Sequence, residues 1–155
     1  MLDSNDRKIL AALQEDGRLS NVELAEKVGL SASPCLRRVK RLEADGIVAG
    51  YRAMLDRQKL GLGLTVFIGV KVGPHEHVEE AAFSNAAAAL DEVISCHLVS
   101  GEFDFLLQVV VPDLAAYEKF LIGTLLKLPG VRDIRSNFAI RTVKQQAPLP
   151  LKHLG

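Results

Sequence analysis

Apolar positions recur every three to four residues through the first 45 residues and every second residue after about position 63. The first rhythm predicts helices and the second predicts strands. Ile9, Leu10 and Leu13 fall on one side of a first helix that Asp3 or Ser4 can cap and Gly17 can end. In LSNVEL, Ser20 and Glu23 make an S-x-x-E capping box, and Leu19 and Leu24 occupy the two positions of a hydrophobic staple. The second helix therefore begins at Asn21, and Gly29 followed by Leu30 reads as its C-terminal glycine with an apolar contact. A third helix starts near Ser31 or Ser33, carries Pro34 in its first turn where a missing N–H costs nothing, and ends at Gly46. Its apolar residues Leu36, Val39 and Leu42 share one face, which is expected to dock on the first two helices. Two helices joined by so tight a turn form a helix-turn-helix unit.

IVAGYRAML (residues 47–55) has the character of a small hairpin, and the polar, glycine-punctuated DRQKLGLG after it reads as a linker. Beyond it come a strand over LTVFIGVKV, an alanine-rich helix over 76–90, and two strands in VISCHLVSGEFDFLLQVVV that meet at Ser100-Gly101-Glu102. A helix with Leu114, Tyr117, Phe120, Leu121 and Leu125 on one side and a last strand in VRDIRSNFAIRTV complete the order βαββαβ. That order is the split βαβ arrangement of ferredoxin-like domains, and the chain as a whole is α+β. The expected organisation is a helix-turn-helix domain over 1–50, a hairpin wing and linker over 51–63, a ferredoxin-like domain over 64–144 and a tail over 145–155. APLPL in the tail favours an extended arm because its prolines discourage a helix. Two helices can cover only one face of such a sheet. On the first strand Leu64, Val66, Ile68, Val70 and Val72 alternate with Thr65, Phe67 and Gly69. After the hairpin, Phe103, Phe105, Leu107 and Val109 alternate with Asp104, Leu106, Gln108 and Val110, so neither face is polar. The uncovered face is expected to pack against a second copy in a symmetric dimer.

Composition narrows the class. An apolar fraction of 48% over 155 residues suits a globular protein, no apolar run is long enough to span a bilayer, and MLDSNDRK is too acidic and polar for a secretory signal. A cytoplasmic protein without a membrane partner is expected. Cys35 and Cys96 do not suggest a disulfide framework, and neither His75-x-His77 nor Cys96-His97 has metal-ligand spacing. No phosphate-binding glycine motif and no catalytic Ser/His/Asp or Cys/His set can be assembled, so no cofactor, no metal and no enzyme activity are expected.

Charge is neutral in total but locally uneven. Arg37, Arg38, Lys40 and Arg41 fall within five positions of the third helix. Arg37 and Arg41 lie opposite Val39, with Ser33 and Pro34 on the same outer half and Arg38 and Lys40 flanking the docked stripe. A rigid helix presenting this basic face fits the major groove of duplex DNA. Its first turn, Ser31, Ser33 and Pro34 with Arg37, is placed for bases, while Arg41 and the hairpin residue Arg52 are placed for phosphates.

GLSASPCLRRVKRLEADGIVAGYRAMLD, together with CHLVSGEFDFLLQVVVPDLAAYEKFL and LPGVRDIRS, resembles the Lrp/AsnC family of transcriptional regulators in its leucine-responsive branch. The resemblance covers essentially the whole chain. It implies a winged helix-turn-helix followed by a ferredoxin-like domain that dimerises through its sheet, builds tetramers or octamers, and senses an amino acid such as leucine, methionine, proline or cysteine. Gly101 and Asp104 match the family's G-x-x-D hairpin, which helps form an effector pocket between neighbouring dimers. On that pattern Asp104 would accept the effector's ammonium and the loop of Ser100, Gly101 and Glu102 its carboxylate, with Phe103 in the same site. Leu98 would shape the wall and Asn137 or Ala139 would contribute from the last strand. The alternative reading is that Gly101 only turns the hairpin and Asp104 only caps it or pairs with an arginine such as Arg135. Two other classes stay open from the sequence: an architectural DNA-coating protein without an effector, and a small-molecule enzyme on a ferredoxin-like domain.

Overall fold

The structure is a computed structural model that describes residues 2–73 and 76–154. The chain divides into two compact units, Met1–Met54 with Lys144–Gly155, and Leu55–Val143.

The first unit contains α1 (Ser4–Glu15), α2 (Asn21–Val28) and α3 (Ala32–Ala44). Asp3 caps α1, its Oδ1 accepting the Asn5 and Asp6 N–H groups at 2.9 Å each. The Ser20–Glu23 box closes in both directions, and Gly29 adopts φ 73°, letting the Leu30 N–H reach the Ala25 carbonyl. Ile9, Leu10, Leu24, Val28, Cys35 and Leu42 form the core. Here the sequence expectation is corrected: Cys35, fully buried, takes the docked position on α3 with Val39 and Leu42, and Leu36 is exposed. A second correction concerns the hairpin: residues 47–56 contain no strand. The run offers only one apolar stretch and no partner strand, and Met54 and Leu55 stand in solvent. Tyr51 anchors it by donating to Glu43 Oε1 at 2.9 Å. The tail returns to this unit. Gln14 and Leu149 exchange two hydrogen bonds, and Leu151 packs on the helical core.

The second unit runs β1 (Leu64–Val72), α4 (Glu76–Ala88), β2 (Val93–Leu98), β3 (Phe105–Val111), α5 (Leu114–Gly123) and β4 (Val131–Phe138), with a short 3₁₀ turn at Leu125–Lys127. The strands form one antiparallel sheet in the order β2-β3-β1-β4. Val66, Ile68, Val70, Leu107 and Val109 meet Phe83, Ala87, Tyr117 and Phe120 in one core, so both helices cover the same face. Leu125 reaches this core from the 3₁₀ turn rather than from α5, and Leu114 is exposed. The other face presents Phe67 and Leu106, both more than a third exposed, with Gln108, Asn137 and Arg135 around them by register.

Phe103 breaks the expected alternation. It precedes β3 and crosses to the uncovered face, where its ring lies over Gly69; a Cβ there would stand 2.6 Å from the ring. Lys71 Nζ and the Arg135 guanidinium approach the same ring at 5.9 and 5.6 Å.

Candidate functional site

Taking about 100° per residue, the docked stripe of α3 is Cys35, Val39 and Leu42, and the outward ridge is Ser33, Arg37 and Lys40 with Leu36 on its edge. All four outward residues are exposed. Arg37 and Lys40 have no ion-pair or hydrogen-bond partner among the described residues. Pro34 is half-buried beside them, and Ser31 occupies the N-cap without spending its hydroxyl on a cap bond. Arg52 is exposed on the irregular segment that stands where a wing was expected.

The remaining two cations of the cluster are engaged inward. Asp6 on α1 is 1% exposed and accepts from Arg38 Nη1 at 2.8 Å, Arg41 Nη2 at 2.5 Å and the Asp3 N–H at 3.1 Å. Arg38 also reaches Asp3 Oδ2 at 2.7 Å. Burial alone would raise the Asp6 carboxyl; the Asp3 N–H and the two guanidiniums outweigh it and hold the group below its ordinary value. Asp3 at the cap of α1 and Asp6 in its first turn, three residues apart, thus bind Arg38 and Arg41, three apart on α3, and fix the angle of the exposed ridge. Sequence reasoning missed this carboxylate pair. The matched spacing of two acids and two arginines was its only signal.

On the sheet domain, Gly101 has φ 123°, a conformation that favours glycine in the hairpin. Asp104 is half-buried and ties the hairpin to β1. Its N–H donates to the Val70 carbonyl at 3.1 Å, its carbonyl accepts from Val99 at 2.9 Å, and its Oδ2 accepts the Val72 N–H at 2.9 Å. The last bond falls where the β1–β4 register shifts between Lys71 and Val72, so the carboxylate satisfies a displaced strand N–H. Oδ1 has no hydrogen-bond partner among the described residues. Arg135 does not pair with Asp104; it pairs with Glu102 at 2.8 Å on the exposed side of the hairpin.

The remaining hairpin candidates do not converge in one chain. Leu98 and Ser100 are exposed near β2, while Asn137, whose side chain donates to the Phe67 carbonyl at 3.4 Å, lies on β4, and Ala139 follows it. β2 and β4 are the two outer strands, so three strand spacings of about 4.8 Å alone put these two groups at least about 14 Å apart. By register Leu98 also shares the helix-covered side and Asn137 the opposite one. Two clefts, of about 630 Å³ beside Asp91, Lys119 and Phe120 and about 530 Å³ beside Leu10, Tyr51 and Leu151, include none of the residues from 98 to 104.

The thiols of Cys35 and Cys96 are both pushed up by burial, which keeps them protonated. His75 and the side chain of His77 lie outside the described residues.

A family model described as winged helix-turn-helix DNA-binding matches residues 2–49, and one described as Lrp/AsnC ligand binding domain matches residues 65–149. The chain is 48% identical over 151 residues to the leucine-responsive regulatory proteins of Klebsiella pneumoniae and Escherichia coli K12, covering 97% of this chain and 92% of each relative. Among solved structures, a transcriptional regulator from Neisseria meningitidis in complex with L-Met superposes with a TM-score of 0.96 at 45% identity. An AsnC family transcriptional regulator from Agrobacterium tumefaciens superposes with 0.94 at 40%, and each comparison covers 99% of both chains.

Proposed function

This chain belongs to the Lrp/AsnC family of transcriptional regulators, and from that premise we propose how its own residues divide the work. Residues 1–50 bind duplex DNA, 51–63 flank the groove and link the domains, 64–144 hold the effector and the dimer contact, and 145–155 act as a tail. One observation carries the DNA reading: two cations, Arg37 and Lys40, stand without a partner among the described residues on the outward ridge of a helix whose other two arginines are locked to Asp3 and Asp6. Ser31, Ser33 and Pro34 bring the first turn of α3 to base edges. Arg37, Lys40 and Arg52 contact bases and phosphates, and Arg38 and Arg41 hold the helix at its angle. The uncovered sheet face around Phe67 and Leu106 packs on its counterpart in a second copy. The resulting dimer offers two α3 ridges to half-sites about 34 Å apart.

The effector is a free amino acid. The Neisseria relative was crystallised with L-Met and the curated relatives are leucine-responsive, which supports the class of ligand. Asp104 Oδ1 receives the ammonium and the backbone from Ser100 to Phe103 the carboxylate. Leu98 contributes from one chain and Asn137 or Ala139 from another, because they lie at opposite edges of their own sheet. Such a pocket exists only between subunits, so binding shifts the association of dimers into tetramers or octamers and, by linkage, the DNA they hold. No described helix is long and apolar enough to cross a membrane; separately, a DNA-reading role supports the cytoplasm as the protein's location. The test is Arg37→Ala and Lys40→Ala on an operator selected by the protein from random duplexes. Each should lose selectivity over a scrambled duplex at matched salt; unchanged selectivity refutes the assignment.

A further inference from the structure

The outward ridge of α3 has a spacing of its own. Ser33, Leu36, Arg37 and Lys40 stand at i, i+3, i+4 and i+7, the same interval by which Cys35, Arg38, Val39 and Leu42 face inward. Leu36 is therefore not part of the core stripe. It keeps 41% of its surface exposed, and its ridge neighbours are an exposed serine and two unpaired cations. A single exposed leucine ordinarily needs no explanation. This one lies, along the helix axis, between Ser33 and the two cations, on the edge of a ridge that is otherwise hydroxyl and positive charge and on the helix whose orientation the buried Asp6 fixes.

The charge of that ridge selects an anionic partner, and duplex DNA meets the requirement. In its major groove nearly every group at a base edge is a hydrogen-bond donor or acceptor, and a leucine set against those would strip them of water with nothing in return. The exception is the C5-methyl group of thymine. We infer that Leu36 reads a thymine methyl in the major groove, between the contacts made by Ser33 on one side and Arg37 and Lys40 on the other. The inference rests on the DNA reading given above and adds a base preference to it. Arg37 and Lys40 supply affinity and their own share of the selectivity, and Leu36 adds discrimination at one further base pair of each half-site.

Replacing thymine by uracil in the operator removes one methyl and leaves the hydrogen-bonding edge intact. Each thymine of the selected operator is replaced in turn, and affinity is measured at fixed salt for the full-length wild type, Leu36→Ala, Leu36→Gln and Arg37→Ala. At one thymine per half-site the wild type should lose about fourfold, the worth of one buried methyl. Leu36→Ala and Leu36→Gln should bind the thymine operator more weakly and be indifferent to that same replacement. Arg37→Ala should keep the fourfold difference. Leu36→Gln preserves side-chain length and helix propensity, so a loss shared by both Leu36 variants reports apolar contact and not a damaged fold. A thymine sensitivity that persists in both Leu36 variants, or its absence from the wild type, overturns the inference while leaving operator selectivity standing. A wild type that prefers no operator over a scrambled duplex overturns the DNA reading and this inference with it.

Discussion

Asp6→Asn separates the α3 anchor from the surface it presents. The side chain keeps its volume and loses its charge in a position that is 1% exposed. Truncating one partner of a fully buried ion pair costs about 3–5 kcal/mol because the other charge is stranded. That does not happen here. Arg41 is 47% exposed and turns to water, while Arg38 retains Asp3 Oδ2 at 2.7 Å. What Asp6 loses is the excess of charge-assisted over neutral hydrogen bonding, with one amide hydrogen now facing a guanidinium. About 2 kcal/mol is the reasonable figure, near the lower end of the range for bonds to charged groups. At 1.4 kcal/mol per tenfold, amide-exchange protection in α1, α2 and α3 should fall by about 30-fold. Exchange measured residue by residue in the full-length protein reads this directly, with β1 and β3 amides as the internal control. Arg37→Ala, which removes an exposed cation, should leave all of these amides unchanged. A loss below about threefold for Asp6→Asn, or an equal loss in the sheet, would refute the claim that this carboxylate anchors α3.

Acid should loosen the same unit. The Asp6 pKa is depressed in the folded state, so its stabilisation is complete above the ordinary carboxylate value of about 3.9 and disappears as pH falls through the lower folded value. Asp3 and Glu23 are lowered in the same direction by their cap bonds. Protection of α1–α3 should therefore drop below about pH 4, with a smaller drop in Asp6→Asn; an identical pH profile would count against the linkage. Asp104→Asn keeps an oxygen for the Val72 N–H and removes the charge. The amino-acid response of DNA binding should vanish in this variant with β1 exchange nearly unchanged, and a preserved response would reduce Asp104 to a strand cap. Gly69→Ala would drive a methyl into the Phe103 ring, so thermal unfolding of the sheet unit should show a loss of about 1–3 kcal/mol. No loss would mean that Phe103 leaves its place freely.

Much of the fold was legible because local chemistry and tertiary structure agree. The Ser20–Glu23 box, the left-handed Gly29 and Pro34 at the start of α3 mark their boundaries without help from distant residues. The βαββαβ order likewise announced a sheet with both helices on one face. The docked side of α3 was harder to read. Cys35 and Leu36 are adjacent and both apolar, so the stripe could be drawn through either, and only the shape of the α1–α2 core decides for the smaller side chain. Arg38 and Arg41 looked like surface cations because their partners, Asp3 and Asp6, are more than 30 residues away. Phe103 shared the parity of Phe105, and its crossing to the other face depends on the slot left by Gly69 on a neighbouring strand. The effector residues were named as one set, but the outer placement of β2 and β4 divides them between two edges. Pairing order is a long-range property, and no local pattern at Leu98 or Asn137 encodes it.

The central claim is that one chain couples an amino acid to a DNA sequence, and linkage makes that claim measurable. Operator affinity should be titrated at fixed salt with and without each amino acid, and the affinity of the active amino acid then measured on free and operator-bound protein. One amino acid should change operator affinity, and the operator should change affinity for that amino acid by the same factor. Operator binding that no amino acid alters, or a response in one direction without its reciprocal, would contradict it.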